Sequence, residues 1–371
     1  MTIGVLKEPG FENRVCLLPE AVAIMKKKGW KILVETNAGK KAFSEDEDYI
    51  AAGAEIKDRR QVIEGSEILL SMSHPEDEIL ALLKDKILIG IFQPVYNKEK
   101  MQQWADNNIS AFSLDMLPRT TRAQVMDVLS SQANIAGYKA VLLAASMYSR
   151  YFPMFMTAAG SIKPAKVLIL GAGVAGLQAI ATARRLGAVV EVFDTRPAVK
   201  EEVMSLGAKF VEVEGAADPS SAGGYAVEQS EDYMRRQEEK IAESVKKADI
   251  VITTAQIFGK KAPVLIKERM IKDMRKGSII IDIAAATGGN TELTKNNETV
   301  YYEGITIVGN SALASTMPSD ASKLLGKNFS AFIDLMVNTS GGLQLNFEDD
   351  LVKGACITYN GEVVHPLIAN K

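Results

Sequence analysis

A glycine-rich segment at residues 171–176 has the G-x-G-x-x-G pattern typical of turns that bind dinucleotide phosphates. It follows the aliphatic run VLIL (167–170) and precedes a stretch with helical periodicity. The first glycine permits a tight turn, the second lets the backbone approach a pyrophosphate, and the third lets the helix pack on the strand. The helix N-terminus offers N–H groups and partial positive charge to phosphates. The predicted cofactor contacts in this turn are Gly171, Ala172, Gly173, Val174 and Gly176. A purely structural glycine turn is the alternative.

An acidic residue, Asp194, ends the next apolar run, VVEVFD. At this position an acid accepts hydrogen bonds from the adenosine ribose hydroxyls and disfavours a 2′-phosphate, which predicts NAD(H). Arg196 lies two residues further on and could instead hold a 2′-phosphate, so NADP(H) remains the alternative. We include Asp194, Thr195 and Arg196 among the predicted cofactor-binding residues.

Groups for proton transfer and metal binding are scarce. The chain has two histidines, His74 and His365, and each is followed by a proline. Acid–base chemistry by histidine is therefore disfavoured, although lysine, tyrosine or a carboxylate could still move a proton. The two cysteines, Cys16 and Cys356, are too far apart in sequence to indicate a disulfide framework or a zinc site, and we predict no metal.

The composition is that of an ordinary soluble protein. Of 371 residues, 47% are hydrophobic and 24% are charged, and the net charge of −3 gives no reason to expect a nucleic acid partner. No apolar run approaches the length of a membrane span, and the first residues do not resemble a secretory signal. We therefore expect a soluble, cytoplasmic chain.

Two series of apolar runs separated by helical stretches predict two α/β domains. The first series has runs at 3–6, 31–35, 67–72, 87–92 and 110–114, and the second begins at 166. Such alternation indicates parallel sheets, so we predict two Rossmann-like domains with a cleft between them. Long helices over 122–146 and 320–337 are expected to join the domains. The predicted boundaries are 1–130 plus 322–371 for the first domain and 131–321 for the second.

Four further segments carry a family resemblance: KEPGFENRV (7–15), PRTTRAQVMDVLSSQANIAGYKAV (118–141), TTAQIFGKKAPVLI (253–266) and GNSALASTMPSDAS (309–322). With the glycine motif, they resemble the alanine dehydrogenase/transhydrogenase family over nearly the whole chain. Within that family the sequence is most similar to the NAD(H)-binding alpha subunits of proton-translocating transhydrogenases.

The resemblance implies a group of polar residues beside the dihydronicotinamide ring. The matching positions in this chain are Arg119, Gln124, Asp127 and Ser130. The spacing of the last three predicts one face of a helix. Amide and hydroxyl groups there can hold the carboxamide of the nicotinamide and fix which ring face is presented. An ordinary polar helix start with an N-terminal cap is the alternative.

The resemblance also implies three contacts further along the chain. The polar stretch 214–239 is similar to a mobile loop that closes over the nucleotide, with Tyr225 as the residue that packs down. A disordered insertion is the alternative. Ala255 matches a backbone contact near the dinucleotide, and Asn310 matches a loop on the nicotinamide side.

Alanine dehydrogenases differ from this chain at the positions that handle their substrate. Ser73 stands where their lysine is expected, Gln93 where their histidine is expected, and Ala286 where their catalytic aspartate is expected. Only Arg14 matches their substrate-carboxylate arginine. Amino-acid oxidation is therefore disfavoured, and it remains an alternative together with a non-catalytic NADH-sensing module.

The implied activity is Re/Si-specific hydride transfer from NADH to NADP⁺, which requires no general acid or base. The family implies a homodimer, a partner subunit that binds NADP(H), and a transmembrane subunit through which protons move. On this interpretation the chain is active only with its partners and lies peripherally at the inner face of a membrane.

Overall fold

The computed structural model describes residues 1–213, 215, 230–338 and 341–369. The chain divides into two compact units, Met1–Gln132 with Ser315–Lys371, and Ala133–Ala314. The strands are β1 (Thr2–Val5), β2 (Lys31–Glu35), β3 (Glu55–Lys57), β4 (Ile68–Ser71), β5 (Ile87–Gly90), β6 (Ser110–Ser113), β7 (Phe155–Thr157), β8 (Gly160–Ile162), β9 (Lys166–Leu170), β10 (Val189–Phe193), β11 (Lys209–Phe210), β12 (Ile250–Thr253), β13 (Ile279–Asp282), β14 (Glu298–Tyr302), β15 (Ile305–Gly309), β16 (Cys356–Tyr359) and β17 (Glu362–Val363). The helices are α1 (Pro19–Lys27), α2 (Asp46–Ala51), α3 (Arg59–Gly65), α4 (Lys98–Asp106), α5 (Val128–Met147), α6 (Val174–Arg185), α7 (Lys200–Ser205), α8 (Glu231–Lys247), α9 (Glu268–Lys272), α10 (Pro318–Asp334) and α11 (Asp350–Ala355).

The first unit is built on a sheet with the strand order β17-β16-β6-β5-β4-β1-β2-β3. The strands from β6 to β3 are parallel, and β16 and β17 join antiparallel at the β6 edge. This confirms the predicted parallel α/β fold. The C-terminal strands were not expected from the sequence.

The second unit has the strand order β11-β10-β9-β12-β13-β15-β14, which is parallel throughout except for β14. Up to that last strand it repeats the β3-β2-β1-β4-β5-β6 order of the first unit. In both units the order reverses at the first strand, between β1 and β4 and between β9 and β12. Ligands of doubly wound sheets bind at this reversal, outside the carboxyl ends of the strands.

The sequence of β9 explains its central place in the second sheet. Val167 and Ile169 pack into the apolar cluster on one face, and Leu168 and Leu170 pack into the cluster on the other. A strand buried on both faces needs a continuous aliphatic run. Helix α5 approaches this layer closely at Gly137, where a Cβ would overlap the carbonyl of Ala175 in α6.

Both helices that were predicted to join the domains differ from the prediction. The first crossing between the units lies within α5, but this helix begins at Val128, after a separate 3-10 turn at Thr121–Met126. The second crossing lies in the 3-10 turn Leu313–Thr316, so α10 belongs wholly to the first unit. Among the described residues, no helix is long and apolar enough to cross a membrane.

Candidate functional site

The turn after β9 has a geometry that only glycine satisfies at two positions. Gly171 has φ 103°, in the left-handed region, and its N–H donates to the carbonyl of Phe193 at 2.8 Å. A Cβ on Gly171 would lie 2.5 Å from Thr254 Oγ1. A Cβ on Gly176 would overlap the carbonyl oxygen of Gly171. The first and third glycines of the motif therefore hold α6 against the end of β9.

The second glycine of the motif faces open space. Around Gly173, no described heavy atom outside its chain neighbours comes within 4 Å of where a Cβ would sit. Gly173 is the N-cap residue of α6, and the first helical bond runs from Leu177 N to its carbonyl at 2.8 Å. The N–H groups of Val174, Ala175 and Gly176 precede that bond, as helix-start donors do. The residues present therefore fit a dinucleotide pyrophosphate at this turn.

Asp194 directly follows β10, beside the glycine turn. Its carboxylate accepts from Ala172 N at 2.7 Å and from Arg196 N at 2.8 Å. It also forms a bidentate ion pair with the Arg196 guanidinium, at 2.9 Å from Nε and 2.8 Å from Nη2. Hydrogen bonding to Asp194 raises the pKa of Arg196 above its usual value. Asp194, Thr195 and Arg196 thus lie where a ribose is expected, and their binding role stays a prediction.

A buried asparagine that was not identified from the sequence holds the loop after β12. Asn290 accepts from Ala255 N at 3.0 Å and donates to the carbonyls of Ala255 and Pro263, both at 2.8 Å. Its own N–H donates to Asp282 Oδ2 at 2.6 Å, at the end of β13. This network fixes Ala255 at the carboxyl edge of the sheet, next to Gly171. The signal available in the sequence was a polar residue at a strand end, Asp282, followed closely by a glycine pair and Asn290.

Asn310 lies at the same edge, directly after β15. Its side-chain oxygen accepts from Ala312 N at 2.8 Å, which closes a local turn. Gly171, Asp194, Ala255 and Asn310 therefore follow four parallel strands of one sheet and converge at one edge. Tyr225, predicted to pack over the nucleotide, lies outside the described residues.

The polar group predicted in the first unit has a different geometry from the single helix face expected. Gln124 lies in the 3-10 turn and is exposed, so it is not part of α5. Asp127 accepts from Ser130 N at 2.8 Å and from Ser130 Oγ at 2.6 Å, as an N-terminal cap of α5 does. Arg119 lies exposed ahead of the turn. The capping alternative is therefore present in the structure, and contact with a nicotinamide stays a prediction.

A second buried asparagine supports this turn. Asn328, in α10, donates to the carbonyl of Val125 at 2.8 Å and accepts from Ser131 Oγ at 2.9 Å. One side chain thus joins the 3-10 turn to the start of α5. Asn328, like Asn290, was not identified from the sequence because its partners are distant along the chain.

Arg14, the one match to the alanine dehydrogenase substrate site, is engaged within the protein. Its Nε and Nη2 donate to Glu12 at 2.9 and 2.7 Å, and its Nη1 donates to Gln132 at 2.8 Å. Burial alone would raise the pKa of Glu12, but the hydrogen bonds and charge of Arg14 hold it below its usual value. The geometry favours a structural role for Arg14.

Neither histidine is placed as a proton carrier. His74 Nε2 lies 2.8 Å from the carbonyl of Phe92, and its ring packs against Phe92 and Trp104. His365 Nδ1 accepts from Leu367 N at 3.2 Å. Burial lowers the pKa of both rings below the usual value, which favours neutral imidazoles at pH 7. Within the described part of the chain, no group of three or more His, Cys, Asp or Glu could hold a metal ion.

Known proteins match the chain over its whole length. The family model "Alanine dehydrogenase/PNT, N-terminal domain" matches residues 4–136, and the corresponding C-terminal domain matches residues 140–366. The first of the chains that make up NAD(P) transhydrogenase subunit alpha in Rickettsia prowazekii is 42% identical over 100% of this chain and 98% of that relative. The chain of the same name from Rhodospirillum rubrum is 41% identical over 100% of both chains. A crystal structure of transhydrogenase from Sinorhizobium meliloti superposes with a TM-score of 0.90, at 40% identity, over 98% of this chain and 100% of that one. The chain belongs to the alanine dehydrogenase/PNT family, and it is similar along its whole length to the transhydrogenase alpha subunits in that family.

Proposed function

We propose that the chain binds NAD(H) at the carboxyl edge of the second sheet and presents it for hydride transfer to NADP⁺ on a partner subunit. The observation that carries this proposal is the open side of Gly173 at the start of α6, beside Asp194 on the neighbouring strand. The transhydrogenase names of the full-length relatives support the same activity.

The reaction explains which groups the protein needs. When bound, NADH supplies the hydride, and neither nicotinamide carbon gains or loses a proton in the exchange. The work left for the protein is to bind, orient and keep water away. In our proposal the amides of the glycine turn bind the phosphates, and Asp194 binds the adenosine ribose. Arg119, Gln124, Asp127 and Ser130 hold the nicotinamide carboxamide. Neutral histidines and an internally paired Arg14 are consistent with chemistry that moves no proton.

The proposed complex includes a second copy of this chain, an NADP(H)-binding subunit and a transmembrane subunit that couples the reaction to proton translocation. The hairpin β7–β8 supports the dimer, because its two strands are exposed and carry apolar side chains. Tyr151 stacks on Phe155 with ring centroids 5.0 Å apart, and Met156 is 72% exposed. A second copy would cover such a surface. The complex would place the chain peripherally at the inner face of the membrane.

Reconstitution tests the activity directly. The chain is mixed with the NADP(H)-binding subunit of a related transhydrogenase, and hydride exchange between NADH and an NADP⁺ analogue is followed. Stereospecific exchange that needs both components is expected. Oxidation of alanine by the chain alone with NAD⁺ would instead establish the dehydrogenase alternative. Binding of NADH without exchange would leave the sensing module.

Substitutions test the polar group beside the ring. Gln124→Ala and Asp127→Ala should slow hydride exchange more than they weaken NADH binding. Because Asp127 also caps α5, Asp127→Ala should cost about 1 kcal/mol of unfolding free energy. Asp127→Asn keeps an acceptor for Ser130 N and separates the two roles. Unchanged exchange rates in Gln124→Ala and Asp127→Asn would remove this group from the site.

A further inference from the structure

The carboxylate of Asp194 has no capacity left for a ribose in this conformation. A carboxylate offers about four acceptor positions. Two are filled by backbone donors, Ala172 N and Arg196 N, and two by the Arg196 guanidinium, Nε and Nη2. The Asp194 side chain is only 7% exposed, and that of Arg196 is 22% exposed. The hydroxyls of an adenosine ribose therefore compete with the guanidinium for the same oxygens.

We propose that Arg196 sets cofactor specificity by covering Asp194, so that an NADH ribose must displace its guanidinium before it can bind. This inference rests on the proposed NAD(H) site. The backbone bonds from Ala172 and Arg196 are kept during the exchange, since they do not depend on the arginine side chain. The displaced guanidinium remains at the ribose, where its charge favours a 2′-phosphate. Arg196 thus costs affinity for NADH and adds affinity for NADPH.

Arg196→Gln in the full-length chain tests this model by equilibrium titration with NADH and NADPH. The variant should bind NADH at least about threefold more tightly, because a partly exposed ion pair no longer has to be broken. It should bind NADPH more weakly than the wild type. The preference for NADH over NADPH therefore widens from both sides.

A second pair of ligands distinguishes competition from a general change in the site. ADP needs the guanidinium to move, whereas 2′-deoxy-ADP has one hydroxyl fewer with which to displace it. The ratio of the two affinities should be larger in Arg196→Gln than in the wild type. A merely structural arginine would weaken both ligands alike and leave this ratio unchanged.

A matched control is available at the opposite edge of the same sheet. Arg275 Nη1 pairs with Asp249 at 2.7 Å, and the Asp249 side chain is also 7% exposed. Arg275→Gln removes an ion pair of similar burial and should leave both NADH binding and the ADP ratio at wild-type values. Weaker or unchanged NADH binding by Arg196→Gln would overturn the inference. The proposed function fails by a different result, which is the absence of NADH binding or hydride exchange in the wild type.

Discussion

The two sheets share one strand order, but their carboxyl edges are built differently. In the second unit three residues, 171–173, join the first strand to its helix, and the turn is open at Gly173. In the first unit residues 6–18 separate β1 from α1 and carry Glu8, Glu12 and Arg14. There Glu8 accepts from Met72 N at 2.7 Å and from Ser73 N at 3.0 Å. The first unit uses its own carboxylate where a ligand could otherwise bind.

This difference separates fold from site. The strand order brings polar groups to one edge in both units, but a phosphate needs backbone donors that the protein has not already paired. In the first unit a buried carboxylate meets the backbone N–H groups of the loop after β4. In the second, the short glycine turn leaves the start of α6 open. The loop after the first strand therefore decides which sheet edge receives a ligand.

Gly176→Ala should have the largest effect, because it disrupts the open edge from within. The added Cβ would overlap the carbonyl oxygen of Gly171, which is backbone and has no easy way to move. We expect the unfolding free energy to fall by about 2–3 kcal/mol, with loss of NADH binding. Urea denaturation and NADH titration measure the two effects. Wild-type stability would show that α6 does not pack against the turn as closely as described.

Gly173→Ala should affect binding alone. Its Cβ would enter open space, so the unfolding free energy should change by less than about 1 kcal/mol, the scale of an N-cap substitution. NADH affinity should fall about tenfold or more, since the methyl group occupies the approach of the pyrophosphate. The two glycine variants form a matched pair, and equal affinity losses at equal stability would contradict their assigned roles. Retained affinity in Gly173→Ala would place the phosphates elsewhere.

The parts predicted from sequence were those with a local physical signature. The aliphatic strands and the glycine turn are encoded within a few residues of each other, and the structure confirms the parallel α/β fold. The start of α5 was placed too early because a 3-10 turn and a helix both space polar residues three to four apart. Edge strand β14 was missed since its residues are mostly exposed and show no apolar run.

Side-chain partners over long distances in sequence were not predictable. Asn290 and Asn328 act through hydrogen bonds to segments up to 203 residues away, and no motif marks such pairs. The Asp194–Arg196 pair was visible as two residues of opposite charge. Its bidentate geometry, which fills the carboxylate, depends on the rotamer of Arg196.

Glu12→Gln should have the smallest effect and tests the closed edge through its pH dependence. Above the usual carboxyl pKa of 4.5, the ion pair with Arg14 stabilises the fold, and the variant should lose about 1–2 kcal/mol of unfolding free energy at pH 7. Because the folded pKa of Glu12 is lowered, this contribution is lost as the pH falls from 4.5 through the folded value. The difference between wild type and variant should therefore be constant from pH 7 to about 5.5 and shrink below 4.5. Glu8, whose pKa burial raises, acts in the opposite direction, but it is present in both proteins and cancels in the difference.

A control for the ion pair and a test of the two edges complete this prediction. Glu64→Gln, which breaks an exposed pair with Arg60, should change the unfolding free energy by less than about 0.5 kcal/mol. NADH affinity should match the wild type in both variants, because the edge that Glu12 closes is not the edge that binds the cofactor. A loss of affinity in Glu12→Gln alone would show that the two edges are not independent.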